Sequence, residues 1–300
     1  MGTPPPRDVQ TVRDVPVIDR GPLPDAGSLY QPCATDDDCP GGTNARCNTQ
    51  VQGWPRGFCT RVCPFAERCG TNGLCTPATS AADRRCLQTC RRNADCREGY
   101  GCLSATVGTE TVQVCQPLCS SDTQCPGSRC NPYRGSCGAI PTTGTDTGGT
   151  CSASSNMCRS GLCRVEEVTS GTRRIPTGFL GGYCISRCIL PSADAFMGER
   201  LPRGGCPMQS VCIAENATAQ TQGIGTCMRE CMADGDCRAG YTCLHPDRTD
   251  GSGPYTNGYC APLNCRAMDM NCPAGFLCVE TTTDGGPVTG RCLRMADGGA

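Results

Sequence analysis

The sequence predicts a small, disulfide-rich fold, mostly irregular with short β-hairpins, laid out as an extended tandem array of eight four-cysteine modules. Three observations predict it. Cysteine supplies 32 of 300 residues, far above the level at which a secreted chain is read as a bridged scaffold. Those cysteines recur in eight groups of four, and a repeat of this kind decides the architecture before any single motif does. Core-forming material is scarce: 5 Phe, 7 Tyr and 1 Trp stand against 39 Gly and 24 Pro. One hydrophobic core of the size usual for this length is therefore not expected. Bridges take its place, each closing a loop of about 12 to 15 residues and contributing on the order of 3 kcal/mol in the chain-entropy description.

In chain order, residues 1–32 read as a Pro-rich tether without the apolar run of a signal peptide or membrane span. A signal is expected to have been removed or to lie upstream, and membrane attachment would have to come from an upstream lipid anchor. Four modules follow over 33–137, at 33–59, 63–86, 90–115 and 119–137. The stretch 138–150, GAIPTTGTDTGGT, reads as a flexible Gly/Thr linker. Four more modules occupy 151–292, at 151–184, 188–227, 231–260 and 265–292, and 293–300 is a tail. Within each array, three or four residues join one module to the next, so neighbours have little freedom to swing.

Four cysteines allow three pairings, and the sequence does not choose among them. The expected pairing joins first with third and second with fourth, because bridging the first two would leave the hairpin loop untied. In the first array this gives Cys33–Cys47, Cys39–Cys59, Cys63–Cys75, Cys69–Cys86, Cys90–Cys102, Cys96–Cys115, Cys119–Cys130 and Cys125–Cys137. In the second it gives Cys151–Cys163, Cys158–Cys184, Cys188–Cys212, Cys206–Cys227, Cys231–Cys243, Cys237–Cys260, Cys265–Cys278 and Cys272–Cys292.

Other positions repeat with the cysteines. Glycine stands three residues after the second cysteine at Gly42, Gly99, Gly161, Gly240 and Gly275, where a turn with positive φ returns the chain. It stands two before the fourth at Gly57, Gly135, Gly182, Gly225, Gly258 and Gly290, which suits a close backbone approach beside a bridge. Tyr100, Tyr241 and Phe276 follow turn glycines as small apolar plugs. Residues 103–114, with β-branched side chains around a central Gly, read as a hairpin.

Chemistry is constrained by what is missing. Glutathione would keep such thiols reduced in the cytosol, so an oxidising compartment is required. Basic and acidic residues number 27 and 28, leaving no general field for nucleic acid. No Lys is present, which removes Schiff-base chemistry. A single histidine, His245, lies in a Gly-rich loop and reads as an exposed loop residue rather than a catalytic base. Cysteine spacing does not suit zinc. Asp36, Asp37, Asp38, Asp95, Asp234 and Asp236 could hold calcium, but they lack the regular loop with its distal Glu and read better as turn caps. No cofactor is expected. The long loops 164–183, 189–205, 213–226 and 244–259 are candidate binding loops on a rigid frame. The first carries Arg164, Arg173, Arg174, Phe179 and Tyr183, a composition typical of interface hot spots. Asn216-Ala217-Thr218 is a glycosylation sequon.

The strings CATDDDC, CRRNADC and CMADGDC resemble the cysteine-rich repeats of secreted proteins and predicted lipoproteins of myxobacteria and related bacteria. The Lys-free composition and the tether fit that source. More distantly, the modules resemble the four-cysteine modules of Dickkopf-type and receptor domains. The resemblance covers 33–292 and implies location at or beyond the bacterial outer surface, with no binding residue carried over. The expectation is a non-enzymatic extracellular or cell-surface protein presenting stapled modules to a protein or glycan. A self-assembling filament or surface layer, and a protease inhibitor with 164–183 as bait, are the alternatives.

Overall fold

The computed structural model describes residues 29–40, 42–63, 69–76, 84–107, 109–170, 173–191, 199–215, 217–248, 251–262, 264–265, 276–281 and 289–294. For 169–170, 173–176, residue 217 and the described residues beyond 262, only the backbone is described. The protein is disulfide-rich, built of short hairpins that mostly form two-stranded sheets and in modules 5 to 7 join into one of six strands, with one short α-helix at Ala217–Gln222 among the described residues.

Each module is a turn bridged to a hairpin. In modules 1, 3, 4 and 7 the turn is a single 3-10 turn before the second cysteine: Asp36–Asp38, Asn93–Asp95, Asp122–Gln124 and Asp234–Asp236. The hairpin joins the strands that carry the third and fourth cysteines. Ala45–Asn48 pairs with Phe58–Arg61, for example, and Tyr100–Val107 with Glu110–Pro117. Third and fourth cysteines stand directly opposite in all eight: Cys47 faces Cys59, Cys75 faces Cys86, Cys102 faces Cys115 and Cys130 faces Cys137. In the second array Cys163 faces Cys184, Cys212 faces Cys227, Cys243 faces Cys260 and Cys278 faces Cys292.

Opposed residues send their side chains to the same face of a hairpin, so both sulfurs point at the turn. The described residues hold 14 bridges, all first-to-third or second-to-fourth within modules 1 to 7. Cys265–Cys278 and Cys272–Cys292 lie outside the described side chains, as do the plug expected at Phe276 and the turn at Gly275. Sulfur is also the core. Cys119, Cys125, Cys130 and Cys137 form one buried cluster, and Cys188, Cys206, Cys212 and Cys227 another.

The glycine before the fourth cysteine has a steric cause. The first cysteine of a module pairs with it across the sheet: Cys188 with Gly225, Cys231 with Gly258, Cys265 with Gly290. At Gly57, with φ +66°, a Cβ would sit 1.9 Å from the Cys33 carbonyl oxygen, and Gly182, with φ +64°, meets the Cys151 carbonyl oxygen at the same distance. No side chain fits there. Through this pairing one strand serves two modules: Tyr183–Ile189 carries Cys184 and Cys188, and Ile224–Cys231 carries Cys227 and Cys231.

The extended, in-line arrangement expected from the short joints gives way to winding, because modules touch beyond their neighbours. Arg97 of module 3 donates to the carbonyls of Pro55 (3.0 Å) and Gly57 in module 1 and to Tyr100 Oη (2.7 Å), while lying 4.4 Å over the Tyr100 ring. Tyr100 in turn donates to the Pro55 carbonyl at 3.0 Å. Module 4 reaches module 1 as well, the Cys137 N–H donating to the Gly53 carbonyl at 3.0 Å.

The second array repeats the device. Arg238 of module 7 donates to the Gly182 carbonyl of module 5 and to Tyr241 Oη (2.7 Å), 4.2 Å over the Tyr241 ring, and Tyr241 donates to the Leu180 carbonyl at 3.3 Å. The plugs Tyr100 and Tyr241 therefore pack on the module two places back rather than on their own bridges alone.

The flexible linker expected at 138–150 is ordered. Tyr133 donates to Asp146 at 2.5 Å, Arg159 pairs with Asp146 at 3.0 Å, and the Gly148 N–H donates to the Cys184 carbonyl at 2.8 Å. Tyr30 does the same in module 1, donating its N–H to the Cys59 carbonyl at 2.8 Å, so residues 29–32 belong to the first module rather than to a tether. Residues 1–28 and the tail from 295 lie outside the described residues. The arrays also touch: a Cβ on Gly205 would lie 2.7 Å from Ser120 Cα.

Gly57→Ala should lower stability by about 1 to 3 kcal/mol through its forced left-handed backbone alone, and further through the clash with Cys33. Gly235→Ala, in open space, should change the melting temperature little. Calorimetric melts of the two variants check this.

Candidate functional site

The aspartates of the repeat are committed to the frame. Asp38 Oδ2 accepts the Ala34 and Thr35 N–H groups, each at 2.8 Å, and Asp236 Oδ2 accepts Met232 (2.7 Å) and Ala233 (3.1 Å). Asp95 does the same for Arg91 and Arg92. The acidic residue three before the second cysteine binds the third cysteine's N–H: Asp36 to Cys47 at 2.7 Å, Asp122 to Cys130 at 2.8 Å and Asp234 to Cys243 at 2.7 Å.

The string C-x-x-[D/N]-x-D-C is thus two caps in one turn, and Asp37, between the two capping positions of module 1, takes neither role. Backbone N–H donors hold the carboxyls of Asp38, Asp95 and Asp236 below the usual range, and the Thr242 hydroxyl leads the same effect at Asp234.

None of the described cysteines is free, so the sulfur clusters are bridges rather than thiolate ligands. His245 is a strut rather than a lone exposed residue. Its Nδ1 lies 3.1 Å from the Tyr255 carbonyl oxygen and its Nε2 3.3 Å from the bridged Cys243 sulfur.

Of the five residues singled out on the loop 164–183, the three whose side chains are described have partners within the chain. The loop is a hairpin of Glu167–Ser170 with Arg173–Pro176. Arg164 is ion-paired with Glu215. Phe179 packs on Tyr183 with ring centroids 5.8 Å apart. Tyr183, read as a binding anchor, is fully buried: its hydroxyl donates to the Cys260 carbonyl (3.2 Å) and accepts the Arg229 N–H (3.1 Å), and burial pushes the phenol up to about 12. An aromatic in a Gly-rich loop reads alike whether it faces a partner or the next module. The side chains of Arg173 and Arg174 lie outside the described residues, as does Asn216 of the sequon.

The other three long loops converge. Leu190, Pro191 and Leu201 from 189–205, Ile213, Ala214 and Gln220 from 213–226, and Pro246, Asp247, Tyr255 and Tyr259 at 244–259 line one groove of about 570 Å³. Its floor is the packed cluster of Leu201, Val211 and Tyr255. Fully buried Asn257 ties the walls together, accepting the Leu201 N–H at 2.6 Å and donating to Glu230 at 2.7 Å. Glu230 also pairs with Arg200 at 2.6 Å, and Thr256 bonds the Glu199 carbonyl through its N–H (2.8 Å) and hydroxyl (2.9 Å). The groove is the size of a small-ligand or side-chain pocket, mostly apolar with few polar groups. Asn257 was missed in the sequence, where an Asn before Gly signals only a turn.

Comparison with protein-family models, with curated proteins and with solved structures found no match.

Asn257→Ala leaves the buried Leu201 N–H unpaired and should cost about 1 to 3 kcal/mol, with faster amide exchange across 199–202, measurable by hydrogen exchange. For the caps, a depressed folded pKa means that their stabilisation is complete above the ordinary Asp range and is lost as pH falls through the lower folded value. Carboxyl-carbon NMR titration should therefore place Asp38, Asp95 and Asp236 below the ordinary value of about 3.9, with the turns intact at every pH above it.

Proposed function

We propose that this chain is a non-enzymatic recognition protein that binds its partner in the groove between modules 6 and 7. Its setting is extracellular, as dense bridging with no free thiol among the described residues is typical of extracellular proteins. No described helix is long and apolar enough to cross a membrane. Display on a bacterial outer surface belongs to the proposal and rests on the resemblance of the repeats.

The observation that carries the reading is the convergence of three independent insertions on one groove, locked by Asn257 to a bridged frame. Insertions in surface loops cost little, but unrelated ones have no reason to meet around a common apolar floor. A preformed groove also spares a partner the ordering cost of binding.

Peptides selected from a phage-displayed library on the wild-type protein should lose about tenfold or more in affinity for Ala214→Trp, which fills the groove, about the loss expected for a buried anchor. Wild-type melting temperature in that variant would show the frame intact. Selected peptides that bind both proteins equally would move the site elsewhere.

A further inference from the structure

The groove's lining has a charge sign. Among its residues Asp247 is the one carboxylate and no basic side chain is present; Arg248, the next residue, does not line it. Asp247 is exposed, and its carboxylate has no hydrogen-bond or ion-pair partner among the described residues. Its place is fixed by its neighbours: Asp247 bridges Pro254 across the loop, the Tyr255 N–H donates to the Pro246 carbonyl at 3.0 Å, and His245 holds the Tyr255 carbonyl. Of the other acids beside the groove, Glu230 is spent on Arg200 and Asn257, and Glu215 on Arg164.

Resting on the groove as the binding site, we infer that its partner is a peptide segment presenting a basic side chain beside apolar ones, the cation meeting Asp247 and the apolar groups meeting Leu190, Leu201, Ile213 and Tyr259. Tyr255 and Tyr259 strengthen the match, since aromatic walls favour cations as well as apolar groups. A volume of about 570 Å³ holds one or two side chains rather than a folded domain, so the partner enters by an extended segment or loop.

The probes are acetyl-Leu-Lys-Leu amide and acetyl-Leu-Glu-Leu amide, titrated calorimetrically into the full chain. The lysyl peptide should bind about fivefold or more tightly than the glutamyl one, the scale of one exposed ion pair gained against one like-charge contact. That preference should shrink in 1 M salt, where the screening length is about 3 Å, and vanish in Asp247→Asn, which removes an unpaired exposed carboxylate without touching the frame. Equal binding of both peptides, abolished by Ala214→Trp, would overturn the cationic partner and keep the groove. A lysyl preference that survives Asp247→Asn would overturn it too. Binding of neither peptide overturns the inference, and the groove then stands or falls on the library selection.

Discussion

Two cysteines facing each other across a hairpin, each bridged to the turn before it, are the constraint on which everything else in this protein depends. The opposition sends both sulfurs to one face, and the turn offers two partners spaced to receive them. A hairpin of four or five residues a side has too little area to fold alone. Stapled twice, it does not need a core, and the buried sulfurs serve as one. The tight approach forced by the staples then dictates the glycine beside the fourth cysteine and the carboxylates that cap the turn. Sequence, bridge and backbone agree at each of these positions, which is the condition for a single native state.

The module was legible in the sequence because its determinants are local. Cysteine grouping, hairpin placement at 103–114, the glycine at Gly57 and its equivalents, and capping aspartates all act within about 30 residues of one another, near the ~34-residue period of common repeats. Winding was not legible. It depends on Arg97 and Arg238, which in sequence look like any solvated arginine after a cysteine, and which find their carbonyls in a module two places back. The stretch 138–150 was misread for the same reason: Gly and Thr signal freedom only while Tyr133 and Arg159 are not known to lie beside Asp146. At the site, the loops could be found from their lengths, but their convergence depends on shared strands such as Ile224–Cys231 that set modules 6 and 7 side by side. Tyr183 shows the converse error, a hot-spot residue type used as a pillar.

The two arrays divide the work unevenly. Both carry the Arg–Tyr clasp and both begin with the same backbone pairing, at Tyr30 and at Gly148. The first keeps its loops short. The second carries the insertions in modules 6 and 7, and the groove arises there. Contacts between the arrays, at Gly205 with Ser120 and at Gly223 with Asn93, seat module 6, one side of the groove, against the first array.

The clasp also limits how such a chain can grow. An arginine that closes on the module two places earlier requires the intervening order to be kept, and module 4 returns to module 1. Loss of any of the first three modules of an array, or an insertion among them, would break its guanidinium clasp, whereas gain or loss of a block of four carries every clasp with its partner. Length variation in chains of this design should therefore come in fours, with the four-module block, not the bridged hairpin, as the heritable unit.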